Sequence, residues 1–297
     1  MHLDHSQTLV TSRGRFHLRQ SSGTEGPPVL LLHGWPQSSY CWMPMARHLP
    51  APWQLFAPDL RGLGDSEHSD PIPDYEKQQL AQDMLALLDQ LELPQVHLVG
   101  HDWGGVVAQE MALQAPERVR SLCLINIAII NNRAGHLAAA AQLARSGSRS
   151  QWYQYFQQAA GGLFETLVSG REEAWLEYLY ARPDGPGRVI PDDAFAEYVR
   201  CFSQPGALRA GANYYRSMRA DQARWKILAG QKFSMPSLYL YGEEDPVIVP
   251  GHLEGMDACF EQVELQRLPG IGHFVPEEAP ETVAQQLHRF WQAQGLA

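Results

Sequence analysis

The stretch VGHDWGG, Val99–Gly105, decides the fold. It has the form G-x-Nu-x-G, in which a strand turns sharply into a helix and presents one reactive side chain at the bend. The central residue is Asp102 rather than serine. Apolar runs lie on either side of it. Upstream are PPVLLLHG, WQLFAPDLRG and a helix-period segment from Tyr75 to Leu93; QVHLVG leads into the bend. Downstream, Gly104 and Gly105 open a helix through Gln114, followed by the strand pattern VRSLCLINIAI from Val119. Strands alternating with helices predict an α/β fold with a mostly parallel central sheet covered on both faces. The runs are continuously apolar, as strands buried on both sides require. Thr8 to Gln20 reads as an antiparallel hairpin at the sheet edge.

After Asn131 the pattern becomes helical and aromatic, with seven of the eleven tyrosines: Tyr153, Tyr155, Tyr178, Tyr180, Tyr198, Tyr214 and Tyr215. We read residues 132–224 as an inserted helical cap over the carboxyl ends of the strands, where ligands bind in such sheets. The core is then 1–131 and 225–297, its strand pattern resuming in SLYLYG and VELQRL and closing with a helix from Glu277 to Gln294.

Composition narrows the function. The net charge of −10 and the absence of a Lys/Arg run argue against nucleic acid or anionic membranes as partners. Cys41, Cys123, Cys201 and Cys259 are far apart and form no C-x-x-C, so neither a zinc site nor a disulfide framework is expected. No apolar run is long enough to span a bilayer, and a cytoplasmic protein, monomer or homodimer, is expected. There is neither H-E-x-x-H nor a phosphate-cradling glycine loop, so no metal or cofactor is implied.

An elbow nucleophile needs an acid and a histidine on later loops. Asp245, just beyond SLYLYG, and His273, in GIGHFVPEE, supply them in the order nucleophile, acid, histidine; Glu243 and Glu244 are the rivals of Asp245. The motif HGWP, His33–Pro36, ends a strand where the backbone N–H of Trp35, with that of Trp103, would hold a developing oxyanion. DLRGLGDS, Asp59–Ser66, reads as a loop held by its own charge pairs, with no catalytic step.

Taken together, HGWP, DLRGLGDS, GHDWGG, YGEEDP and GIGHFVPEEAP resemble, in order and position, the α/β-hydrolase fold of the epoxide hydrolase and haloalkane dehalogenase branch, over nearly the whole chain. A carboxylate nucleophile suits attack on saturated carbon, because the resulting alkyl ester can be split by water. The resemblance implies two cap tyrosines holding an epoxide oxygen. Tyr215, in ANYYRSM, matches one; Tyr153, in QWYQYFQQ, is the first choice for the other, with Tyr155 or Trp152 reached by a small shift of alignment. Fluoroacetate dehalogenases resemble the chain at the elbow but carry arginine where Trp103 stands and a His-Trp pair where Tyr153-Gln154 stands. Haloalkane dehalogenases are the alternative, with Trp103 and Trp152 as halide donors, and a non-catalytic binding protein of the same fold is a third reading. Asn126 stands where some relatives keep the catalytic acid, which strengthens Asp245. The substrate expected is a small apolar epoxide, with water.

Overall fold

The structure, a computed structural model, describes residues 2–22, 26–50, 52–182 and 186–296. The apolar runs become β1 (His5–Thr11), β2 (Gly14–Gln20), β3 (Pro28–Leu32), β4 (Gln54–Pro58), β5 (Val96–His101), β6 (Val119–Ile125), β7 (Ser237–Gly242) and β8 (Val263–Leu268). They form one sheet in the order β1-β2-β4-β3-β5-β6-β7-β8. The hairpin β1–β2 and the pair β2–β4 are antiparallel; every pairing from β4 to β8 is parallel. The central strands β5 and β7 are buried along their whole length, whereas the edge strand β8 is partly exposed and accordingly mixes Glu264, Gln266 and Arg267 with its apolar residues.

Between the strands run α1 (Met43–His48), α2 (Lys77–Gln90) and α3 (Trp103–Gln114). The chain steps from β3 outward to β4 and then back across β3 to β5. Because parallel crossovers are right-handed, this reversal puts α1 on one face and α2 with α3 on the other. It also opens a crevice at the carboxyl ends of β3 and β5, the place where such sheets bind ligands.

Among the described residues, seven α-helices lie between β6 and β7: α4 (Arg133–Ser146), α5 (Trp152–Gln157), α6 (Leu163–Val168), α7 (Glu172–Tyr180), α8 (Asp192–Phe202), α9 (Ala207–Arg216) and α10 (Met218–Ile227). Asn132 caps the first of them by accepting from the Gly135 N–H. The helical insertion runs past the expected residue 224, because α10 continues to Ile227 and the chain turns only at Leu228–Gly230. The closing helix is also two pieces, α11 (Val275–Glu278) and α12 (Pro280–Ala293). Ala279 is non-helical (φ −140°, ψ 53°), as proline at the next position favours. α12 packs on α1, and α2 on α3.

Candidate active site

Three close approaches explain the glycines of the elbow. A Cβ on Gly100 would lie 2.6 Å from the Gly104 carbonyl oxygen, one on Gly104 would lie 2.3 Å from that of Leu32, and one on Gly34 would lie 2.4 Å from the Asp102 Cβ. Only hydrogen fits at each, so β5, the start of α3 and the loop after β3 can touch. Asp102 bends between them at φ 48°, ψ −127°, a conformation costly for a side-chain-bearing residue. Its carbonyl accepts from the N–H groups of Gly105 (2.8 Å) and Val106 (3.2 Å), which starts α3 at once. Asp102 Oδ1 accepts from the Trp35 N–H at 2.8 Å, and the nearby Trp103 N–H favours the ionised carboxylate. The oxygen Oδ2 faces His273, 3.6 Å from its Nε2.

Asp245 leaves β7 and is held by four donors. Its Oδ1 accepts from the N–H groups of Val247 (2.7 Å) and Ile248 (3.0 Å); Oδ2 takes the His273 Nδ1–H (2.6 Å) and the Asn126 Nδ2–H (2.8 Å). Glu243 instead meets Arg267 at 3.2 Å, away from the histidine. The His273 loop is pinned by Glu278, which accepts from the N–H groups of Gly272 and Phe274, both at 2.8 Å. Burial acts to lower the pKa of His273, but the Asp245 and Asp102 carboxylates outweigh it and lift the imidazole to about 10. Burial likewise opposes ionisation of Asp102, yet His273 and the backbone donors hold its pKa below the usual value. At neutral pH the pair is therefore a carboxylate facing an imidazolium.

Over this pair the cap presents two phenols. Tyr153, on α5, stacks on Trp35 with ring centroids 5.6 Å apart and an interplanar angle of 6°. Tyr215, on α9, meets Trp35 (5.2 Å) and Trp103 (5.5 Å) edge to face, and its centroid is 5.8 Å from that of Tyr153. Withdrawal from water and the nearby Asp102 charge raise both phenols above their ordinary pKa, so each is a protonated donor at neutral pH.

Residues 27–280 match the protein family described as alpha/beta hydrolase fold. The chain belongs to the α/β-hydrolase family. It is 28% identical to the soluble epoxide hydrolase of Corynebacterium sp., over 97% of each chain. A structure of a putative epoxide hydrolase from Pseudomonas aeruginosa superposes with a TM-score of 0.84 at 27% identity, covering 99% of this chain and 98% of that one. It is 26% identical to the bifunctional epoxide hydrolase 2 of Sus scrofa over 94% of this chain, which spans only 53% of that longer protein.

In this α/β-hydrolase, several residues expected at the site are engaged otherwise. His33 is fully buried and has spent both ring nitrogens on backbone: Nδ1–H donates to the Gly34 carbonyl (2.8 Å), and Nε2 accepts from the Leu60 N–H (3.0 Å). It shapes the loop that carries the Trp35 N–H and has no nitrogen left for substrate. Tyr155 is 73% exposed and points away from Asp102. Trp152 is 39% exposed, and its indole N–H donates to the Tyr178 hydroxyl at 2.9 Å, so it is not aimed at a halide beside Asp102. Both line the approach instead. A cavity of about 240 Å³ runs from His273, Phe274 and Trp35 past Tyr153 and Val247 to Trp152 and Tyr178 at its mouth. An outer hollow of about 400 Å³, lined by Leu143 and Tyr155, shares Ser150 and Trp152 with it.

Two residues of the α/β-hydrolase site were invisible as such in the sequence. The first is His101, whose Nε2–H donates to the His273 carbonyl at 2.8 Å. The second is Lys77, buried with Asp221 behind Trp103, its Nζ 4.2 Å from the indole centroid. A polar residue inside the buried strand β5 is the only signal that could have marked His101. Asn126 does more than leave the acid's place uncharged: beyond holding Asp245, it accepts from the Gly242 N–H at 2.7 Å and donates to the Gly272 carbonyl at 3.0 Å. Among the described residues, His17, Asp59 and Asp65 have metal-ligand spacing. Asp59 already accepts from His17 (2.9 Å) and from the N–H groups of Ser39 (2.6 Å) and Asp65 (2.9 Å), while Asp65 is paired with Arg200. These bonds fix the DLRGLGDS loop and leave little of the cluster for an ion.

Proposed function

We propose that this α/β-hydrolase converts an epoxide and water into a vicinal diol through a covalent ester on Asp102. The observation that carries the reading is the Asp102 carboxylate close to two protonated phenols, Tyr153 and Tyr215, beside a cavity that Tyr153, Trp35 and His273 line. With Oδ1 held by the Trp35 N–H, Oδ2 attacks one epoxide carbon as its C–O bond breaks, and a phenol gives its proton to the departing alkoxide. Such general-acid help is typically worth ~10²–10⁴ in rate. Ester formation removes the negative charge of Asp102, one of the two carboxylates that raise His273, so the imidazole gives up its proton more readily, restoring the phenol through solvent. Neutral His273, oriented by Asp245, then takes a proton from water, whose oxygen attacks the Asp102 carbonyl carbon. The oxyanion on Oδ1 is stabilised by the N–H groups of Trp35 and Trp103, and its collapse releases the diol.

None of the described helices is long and apolar enough to cross a membrane. The four cysteines are free and buried, as a reducing compartment favours, and a cytoplasmic monomer or homodimer acting on a small apolar epoxide is the reading proposed.

The test is intact-protein mass spectrometry of His273→Gln after incubation with styrene oxide and, separately, with 1-bromobutane. Lacking the base, the variant should accumulate an adduct of the whole styrene oxide mass on Asp102. A butyl adduct with bromide release, and none from the epoxide, would turn the assignment to a haloalkane dehalogenase.

A further inference from the structure

We propose that the Trp35 side chain makes the site one-sided, selecting against a trans substituent on the second epoxide carbon; the inference rests on the epoxide reading above. The reacting atoms lie between Asp102 and the two cap phenols, and Trp35 borders all of them. Its N–H holds Asp102 Oδ1, its ring lies parallel to Tyr153, and the edge of Tyr215 meets it.

Behind the indole there is no room. Its far side meets Phe202 edge to face at 5.9 Å, and a Cβ on Gly211 would come within 3.1 Å of Trp35 Nε1 and 3.2 Å of the Phe202 ring. Glycine in the interior of α9 weakens the helix, so its presence there makes sense as space for the indole. The fit leaves the Trp35 indole N–H buried without an acceptor, a penalty phenylalanine would not carry. Trp103 closes a second side, packed against Tyr215 and backed by the Lys77 ammonium.

The open space beside the site is the cavity that Trp35, Tyr153, His273, Phe274 and Val247 line, which reaches Trp152. At about 240 Å³ it is smaller than the ~300–1,000 Å³ pockets of drug-sized ligands. An epoxide held for attack can thus carry a substituent toward the mouth, while a second one on the other carbon, in trans, runs into the indole.

The experiment compares kcat/KM for styrene oxide and trans-β-methylstyrene oxide in the wild type, Trp35→Ala and Trp35→Phe. All three keep the backbone N–H at position 35, so the quantity read is the ratio between substrates. The wild type should favour styrene oxide by about 10- to 200-fold, the discrimination expected when one methyl is refused by a packed wall. Trp35→Ala should cut that ratio by about tenfold or more, and Trp35→Phe should move it in the same direction; either variant suffices if the other does not fold. Equal turnover of the two epoxides by the wild type, or an unchanged ratio in a variant that still opens styrene oxide, overturns the one-sided site and leaves the epoxide reading intact. Failure of the wild type on both, with no ester formed, overturns the two together.

Discussion

Tyr153 and Tyr155 are two residues apart on α5, which puts them about 200° apart around the helix. Only one can face Asp102, and the choice depends on how α5 is rotated. The packing of Tyr153 on Trp35 and Tyr215 sets that rotation and turns Tyr155 outward. Spacing along the chain could nominate both and decide between neither. With a hydrogen bond to a developing alkoxide worth ~1.5–3 kcal/mol, Tyr153→Phe and Tyr215→Phe should each slow ester formation by about tenfold or more. The double variant should lose ~10²–10⁴. Single-turnover rates with styrene oxide check this, and a double variant as fast as the wild type would remove the phenols from the mechanism. By contrast, Asp102, Asp245 and His273 were legible as candidates because their places are tied to strand ends, and strands announce themselves as apolar runs.

At the scale of elements, the cap is joined to the core by a buried ion pair. Lys77, the first residue of α2, reaches Asp221 Oδ2 and Ser217 Oγ, both at 2.8 Å, and the Tyr214 carbonyl, while its own N–H donates to Asp221 Oδ1 at 2.8 Å. Burial lowers the lysine pKa, against the pull of Asp221. The bond to the Tyr214 carbonyl anchors the backbone next to Tyr215. Lys77→Met leaves Asp221 charged and unpaired, and should cost ~3–5 kcal/mol in urea denaturation. The double variant Lys77→Met/Asp221→Leu should recover most of the loss, since two apolar side chains carry no orphaned charge. Equal instability of single and double variants would mean that the pair itself is not what is being lost. Nothing local marks residue 77 as the partner of residue 221, and in a helical pattern it reads as an ordinary polar position.

Across the whole molecule, His273 and Glu277 are buried groups that bind protons more tightly in the folded chain, with shifts that fall near neutral pH. His273 rises from 6.5 to about 10 through its two carboxylates, against burial. Glu277 rises from 4.5 to about 8 because burial disfavours its charge, despite the hydrogen bond from Gln37. Stability from a raised pKa is full below the unfolded value and is lost as pH climbs through the folded one. Buried His97 and His101, lowered from 6.5 to about 4, act in the opposite sense below 6.5. The urea midpoint should therefore fall with rising pH only above about 6.5, through Glu277 up to about 8 and through His273 up to about 10. Glu277→Gln should flatten the lower part of the curve; an unaltered slope there would assign the loss to other groups. Order along the chain determined the sheet, the insertion, the elbow and the three residues that meet at it, because apolar period and glycine spacing are local properties written directly in sequence. Tertiary structure alone decided which face of α5 looks inward, that His33 spends its nitrogens on the backbone, that Lys77 meets Asp221, and that Trp35 fills the back of the site. Those outcomes depend on contacts between residues far apart in the chain, whose geometry exists only once the sheet and cap have packed together.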